Sequence, residues 1–218
     1  MTLLSRLLSL FPVFTLGLAG LSFVWLCTAE NFLTGLLRLF CCLFCLYGLP
    51  VLIYRLHGIV WPILEGISYL KADQYSPWWG SHQIQAIYLA LPGLERLLRL
   101  IPGAFSAWLR LWGAEIGEQV YWTPELEIAD RGLLQVGDRT VIGQGVGLYG
   151  HIIKPKKGDL LLYVKRIQID SDVFVGAWSK LGPGAVVAAD TYLPVASYLY
   201  PNQKGPTARM EKEECEDS

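Results

Sequence analysis

The stretch Ile169–Tyr198 repeats every six residues, and this period constrains the fold more than any other feature of the chain. An aliphatic residue opens each hexapeptide, at Ile169, Val175, Leu181, Val187 and Leu193. The next position is small, acidic or proline: Asp170, Gly176, Gly182, Ala188 and Pro194. The fifth is small or β-branched: Val173, Ser179, Ala185, Thr191 and Ser197. Neither a helix nor an ordinary strand has this period. A repeat this short is the unit of a parallel β-helix, in which each hexapeptide is a short strand and a tight turn. The aliphatic residue points into a triangular core, and the small residue beside it leaves room for the backbone to turn. Three hexapeptides close one coil, and stacked coils bury a continuous column of side chains.

The step of six also runs upstream, through Ile116-Gly117, Trp122-Thr123 and Ile128-Ala129. It slips by two residues and resumes at Val136-Gly137, Ile142-Gly143 and Leu148-Tyr149. It breaks again between Lys154 and Arg166. This pattern predicts roughly three and a half coils over 114–198, with an inserted loop, 154–168, between the second and third.

The first third of the chain obeys a different rule. Hydrophobic residues make up 53% of the 218 and charged residues only 17%, and the apolar excess is concentrated at the N-terminus. Leu7–Ala29 carries no charge and is long enough to cross a ~30 Å hydrocarbon layer. Phe32–Tyr54 is apolar except for Arg38. The first segment is too long for the apolar part of a signal peptide. Residues 1–55 therefore read as a two-helix transmembrane hairpin, with a shallow re-entrant hairpin broken at Gly48-Leu49-Pro50 as the alternative. Arg6 and Arg55 flank the pair, which places both ends in the cytoplasm. Arg38 near the outer end can snorkel outward. Cys27, Cys41, Cys42 and Cys45 lie in these segments as small packing residues, without a zinc-type spacing, and Cys215 lies in the tail.

Residues 56–113 connect membrane and repeat. They are rich in Trp and Tyr, as at a membrane–water boundary. Ile84–Ile101 carries an apolar stripe at helical spacing, which suits an interfacial amphipathic helix or a cap on the base of the coils. Residues 199–218 leave the repeat and read as a disordered tail.

Residues 110–195 resemble the hexapeptide-repeat acyltransferases, in their membrane-associated sugar/lipid O-acetyltransferase-like branch. Arg110–Gly117 (RLWGAEIG) resembles that branch's entry into the first coil. Leu134-Gln135-Val136-Gly137-Asp138 resembles its coil corner, and Gly150-His151 a Gly-His pair before its inserted loop. The resemblance implies a mainly β fold, a left-handed parallel β-helix, here preceded by the α-helical membrane hairpin and the amphipathic helix. It also implies acyl transfer from acyl-CoA (acetyl-CoA), with His151 as general base, and a homotrimer whose sites lie between subunits.

Three histidines are present. His57 and His82 lie outside the repeat and read as hydrogen-bonding residues. His151 lies at a coil corner and directly precedes the insertion. A base of near-neutral pKa within reach of an acceptor hydroxyl is what this chemistry needs. Ile152 and Ile153 stand where the related pattern has polar and acidic residues, so Asp159 across the loop is the expected carboxylate partner. The basic loop Lys154-Pro155-Lys156-Lys157-Gly158-Asp159 suits the phosphates of coenzyme A, an anionic lipid surface, or plain solvation. Lys154 and Lys156, with Gly176, Trp178 and Lys180 on the following coil, are the expected coenzyme A contacts. One histidine inside the coils is too few for a three-imidazole zinc site, so no metal is expected. There is no phosphate-cradling glycine loop and no nucleic-acid motif.

The composite expectation is a multi-pass membrane protein with its β-helix on the cytoplasmic side. It would acylate a hydroxyl of a lipid-linked sugar, glycolipid or membrane pigment. The alternatives are a non-catalytic β-helix scaffold of a membrane complex, or an acyltransferase-like protein recruited to a carotenoid-modifying step. Tyr149, Phe174 and Trp178 fall off the inward positions, and a flat β-face carrying such aromatics is expected to meet a neighbouring subunit.

Overall fold

The computed structural model describes residues 2–71, 73–156 and 158–206. The chain divides into two units, Met1–Glu95 with Ile153–Leu162, and Arg96–Ile152 with Tyr163–Ser218.

The second unit is a parallel β-helix. Its strands are β2 (Glu115–Ile116), β3 (Tyr121–Trp122), β4 (Glu127–Ile128), β5 (Leu134–Val136), β6 (Val141–Ile142), β7 (Gly147–Leu148), β10 (Ile167–Ile169), β11 (Phe174–Val175), β12 (Lys180–Leu181), β13 (Val186–Val187), β14 (Tyr192–Leu193) and β15 (Tyr198–Leu199). They form three faces, in the order β13-β10-β5-β2, β14-β11-β6-β3 and β15-β12-β7-β4. Among the described residues this makes four coils, not three and a half. The fourth is completed by β15, and Lys204 pairs with Val186 beyond it. Residues 199–206, expected in a disordered tail, thus continue the stack. The rest of that tail, with Cys215, lies outside the described residues.

Every residue on the predicted inward positions is buried, from Ile116 and Trp122 through Ile142 and Val175 to Leu193, and so is Leu199 one step beyond them. The position after each inward residue must often be small because the next coil passes directly over it. A Cβ on Gly143 would lie under 3 Å from the backbone of Ala177, and one on Gly176 equally close to that of Val195. Two residues further on, the chain turns in the left-handed region at every corner where φ is positive, as at Arg139 (φ 53°), Asp172 (57°), Trp178 (62°) and Ala196 (57°). Arg139 and Asp172 sit on one corner in adjacent coils and form a two-pronged ion pair at 2.6 and 2.5 Å. That pair holds the Asp172 carboxyl below its ordinary pKa.

A short helix closes the open end of the first coil. In α7 (Ala104–Leu111), Phe105, Trp108 and Leu109 are buried, followed by Trp112. Trp122 points from the coil into this cluster, meeting Phe105 edge-on and donating its indole N–H to Ser106 Oγ at 2.8 Å. Arg110 donates to the carbonyls of Ile116 and Gly117. The cap is therefore α7, and the stripe Ile84–Ile101 is not one helix. It breaks at Pro92 into α5 (Pro77–Ala90) and α6 (Gly93–Arg99), because proline has no N–H to continue the ladder.

In the first unit, α1 (Leu3–Ser9), α2 (Phe11–Cys27), α3 (Phe32–Leu43) and α4 (Leu49–Val60) are apolar helices, and helices dominate its regular structure. "Mainly β" thus holds for the repeat unit alone. Leu3–Cys27 and Phe32–Val60 are each long and apolar enough to cross a membrane. Arg38 donates from Nη1 to the Trp25 carbonyl (2.9 Å) and to Thr28 Oγ1 (2.8 Å), and its guanidinium lies over the Trp25 ring. It caps the C-terminus of α2, where a cation is favoured. Cys42 and Cys45 face α2, at Ala19 and Ser22, in the packing role expected of them.

The region of Gly48-Leu49-Pro50 is a π-helical turn, Phe44–Gly48, leading into α4. Pro50 has no N–H for the carbonyl four residues back, Leu46. That carbonyl accepts the Tyr88 hydroxyl of α5 at 2.6 Å instead. Ile84, Ile87 and Tyr88 are fully buried, and α5 packs on α1, α2 and α4. The α5 part of the stripe is covered by protein, while Leu91, Leu97 and Ile101 further along it are exposed.

The 56–113 connector is not all helical. β1 (Gly66–Leu70) forms a sheet of order β1-β9-β8 with β8 (His151–Lys156) and β9 (Asp159–Val164). The inserted segment is therefore a β-hairpin, not a loop.

His57 is buried in α4. Its Nε2 meets the Tyr75 hydroxyl at 2.5 Å and its Nδ1 meets Ser81 Oγ at 3.2 Å. Burial raises the Tyr75 phenol to a pKa of about 12. Gly80 lies beneath this cluster. A Cβ there would come under 3 Å from the Tyr75 hydroxyl, His57 Nε2 and Leu8. Gly58 on α4 has open space. We expect Gly80→Ala to destabilise the protein by about 1–3 kcal/mol through overpacking, and Gly58→Ala to be neutral or stabilising by up to ~1 kcal/mol. Thermal unfolding in detergent checks both; equal effects would refute the packing described.

Candidate active site

The corner between the third face and the first departs from the hexapeptide rule in both of the first two coils. In the first coil it holds two extra residues and a 3-10 turn, Arg131–Leu133. In the second it opens into the β8–β9 hairpin. Coils one and two are stacked here, with Ala129 N–H donating to the Leu148 carbonyl at 3.0 Å. The two irregular corners therefore lie one above the other.

That stacking brings Asp130 to His151. His151 Nδ1 and Asp130 Oδ2 are 2.6 Å apart, with the Asp130 side chain 3% and the His151 side chain 17% exposed. A carboxylate on Nδ1 fixes the tautomer with its proton there and places the basic lone pair on Nε2. This is the arrangement of a histidine ready to take a proton from a neighbouring hydroxyl.

The surroundings hold the pair in place. Gly150 leaves no room for a side chain without crowding Asp130 and Leu133, which a Cβ would meet at 3.1 Å. Its carbonyl accepts the Lys165 N–H at 2.9 Å, which closes the neck of the hairpin. Arg131, next to Asp130, is fully buried, with its guanidinium over Trp108 of the cap. Tyr149 lies across Gly147 and donates its hydroxyl to Glu127 at 2.8 Å. Burial, and then that hydrogen bond, push its phenol well above the ordinary range, so it is a neutral donor at neutral pH.

The other expected site residues fall as follows. Asp159 opens β9 and belongs with its neighbours to the first unit; the carboxylate on His151 is Asp130, not Asp159. Lys154 and Lys156 are exposed on β8, in the part of the hairpin that belongs to the first unit. Lys157 lies outside the described residues. Gly176 is buried under the next coil and offers no surface to a ligand. Trp178 is 56% exposed at its corner with its ring over Gly145, and Lys180 points outward on the adjoining strand.

Sequence reasoning missed Asp130. Its signal was present in the two-residue slip between Ile128 and Val136, which is the turn that carries it.

No protein-family model and no curated protein matches the chain. Solved structures similar to it include hexapeptide-repeat acetyltransferases and other acetyltransferases. One is the hexapeptide-repeat-containing acetyltransferase of Vibrio cholerae complexed with acetyl coenzyme A, 17% identical over 62% of this chain and 88% of that one, TM-score 0.39. Another is the maltose O-acetyltransferase of Clostridium difficile, 14% identical over 52% and 77%, TM-score 0.35. A third is serine acetyltransferase isoform 3 of Entamoeba histolytica in complex with cysteine, 11% identical over 76% and 58%, TM-score 0.35. The parallel β-helix itself stands on the strand register of this chain.

If Asp130 sets the tautomer, Asp130→Asn will remove the preference for Nδ1–H. Ring nitrogen-15 shifts of His151 in labelled protein will then move toward those of an averaged imidazole. Unchanged shifts would show that the dyad does not hold the ring.

Proposed function

We propose that the protein is a membrane-anchored acyltransferase built on a left-handed β-helix. It would move an acyl group from acyl-CoA to a hydroxyl of a lipid-linked sugar, glycolipid or membrane pigment at the cytoplasmic leaflet. The observation that carries this reading is the His151–Asp130 pair on the corner from which the hairpin emerges.

In the proposed reaction, His151 Nε2 takes the proton of the acceptor hydroxyl as its oxygen attacks the thioester carbonyl. The tetrahedral intermediate collapses with loss of the coenzyme A thiolate. The imidazolium returns the proton to that sulfur, leaving an ester and free thiol. Asp130 keeps Nδ1 protonated and stabilises the imidazolium that forms between the two steps. Trp178 and Lys180 present an exposed ring and a cation on the third coil, suited to the adenine and phosphates of the donor. The two apolar helices would keep the enzyme beside a membrane-dissolved acceptor while a soluble donor diffuses in.

His151→Ala is expected to lower turnover by about 10²–10⁴-fold, and Asp130→Asn to lower it mainly in kcat. The assay is thioester cleavage that depends on a lipid extract. Full activity in His151→Ala would refute His151 as the base, whereas no thioester cleavage by the wild type with any short-chain donor would favour the scaffold reading and refute this one.

We further propose a homotrimer. Tyr121, Val141, Phe174 and Tyr192 stack in register on the outside of the second face. The Phe174 and Tyr192 rings lie 5.7 Å apart, and Trp178 is exposed at the adjoining corner. An apolar ladder of this kind needs cover, and a closed three-fold ring supplies it while pointing three membrane anchors the same way. Light scattering in detergent, corrected for bound detergent, should return three chains. A monodisperse, active monomer would overturn it.

A further inference from the structure

The first unit contains a pocket of about 280 Å³ that the acyl-transfer reading does not use. Its walls are apolar: Leu70 at the end of β1, Trp79 of α5 and Leu160 of β9. Its polar lining among the described residues is Ser5, Lys71, Gln74 and Ser76, one cation and three neutral hydrogen-bonding groups, without a carboxylate. We infer that this pocket binds the chain of an anionic amphiphile drawn from the bilayer, with its charged headgroup at Lys71.

Three observations favour that occupant. The first is charge complementarity, since among the described lining residues the ionised group is the cation Lys71. The second is position. Ser5 lies at the start of the first apolar segment, Leu3–Cys27, while Leu70 and Lys71 follow the end of the second, Phe32–Val60. The pocket therefore lies at the end of the helical pair where the first segment begins and the second ends. The third is rigidity. Gln74 and Ser76 flank Tyr75, whose hydroxyl is held by His57, and Ser76 Oγ accepts the Trp79 N–H as the cap of α5. The wall at Ser76 and Trp79, fixed in this way before binding, loses little entropy when the ligand enters.

The inference rests on the membrane reading of the two apolar helices and not on acyl transfer. The test uses the full chain in nanodiscs of zwitterionic lipid. These are doped with phosphatidic acid carrying a photoactivatable diazirine in one acyl chain, or with phosphatidylcholine of the same chains. Labelled residues are mapped by mass spectrometry. Saturable labelling at Leu70, Trp79 and Leu160 is expected. Phosphatidic acid should label about fivefold more than phosphatidylcholine, as one basic contact implies. Lys71→Gln should abolish that preference. Leu160→Trp, at a half-exposed position that tolerates bulk, should fill the pocket and remove labelling of Leu70 and Trp79. His151→Ala should label as the wild type does. Labelling spread evenly over the outer faces of the helices, equal labelling by the two lipids, or labelling indifferent to Leu160→Trp would each overturn the proposal. Failure to enter nanodiscs would instead refute the membrane reading.

Discussion

The second unit depends on stacking one coil on the next at the spacing of a β-ladder, about 4.8 Å. At that spacing the corner of one coil lies against the backbone of the next. Side chains are therefore excluded at positions such as Gly143 and Gly176. The same closure imposes a left-handed turn three residues after an inward residue, whether or not glycine is there. Gln119, Glu125, Arg139, Asp172, Trp178, Asp190, Ala196 and Asn202 all adopt it. Each costs roughly 1–2 kcal/mol, less for the Asp and Asn side chains. Local preference does not choose these turns. The ladder hydrogen bonds and the buried column offset them, so the conformation belongs to the stack and not to the hexapeptide.

This explains what could be read from sequence. The inward column was legible because a period of six survives any local choice of residue, and Ile116 to Leu193 fell where the period put them. The corners were not legible by residue type, since Trp178 and Arg139 resemble nothing that favours a left-handed turn. The candidate site was half legible. His151 stands beside the break in the repeat and was found there. Asp130 was hidden because its partner lies one coil away, 21 residues along the chain, and a linear search for a nearby acid turned up Asp159. The useful signal was the pair of register faults, which share a corner once the coils are stacked.

The first unit shows the complementary limit. Apolar length marked two segments fit to cross a membrane. The helical stripe over Ile84–Ile101 marked a buried face only in its first part, at Ile84, Ile87 and Tyr88. Periodicity says that a face is covered and not what covers it. Here it is α1, α2 and α4, and Tyr88 does more than fill space: its hydroxyl donates to the Leu46 carbonyl, to which Pro50 has no N–H to offer. In an apolar environment an unsatisfied carbonyl costs several kcal/mol. The proline in this segment is tolerable because a residue about forty positions later completes its hydrogen bonding.

The same logic of satisfaction bears on the chemistry. A carboxylate as buried as Asp130 is costly unless it is hydrogen-bonded, and the His151 Nδ1–H provides such a bond within the fold itself. The tautomer of His151 is thus set before any substrate arrives, which removes one reorganisation from the reaction proposed for it. The imidazole is the first residue of β8 and the carboxylate belongs to the coil. The Lys165–Gly150 hydrogen bond ties the hairpin's neck to that coil. The neck of the hairpin and the imidazole are therefore held on the same coil. Shortening the insertion at its tip would leave the pair intact, whereas loosening its neck would let the ring turn away from Asp130.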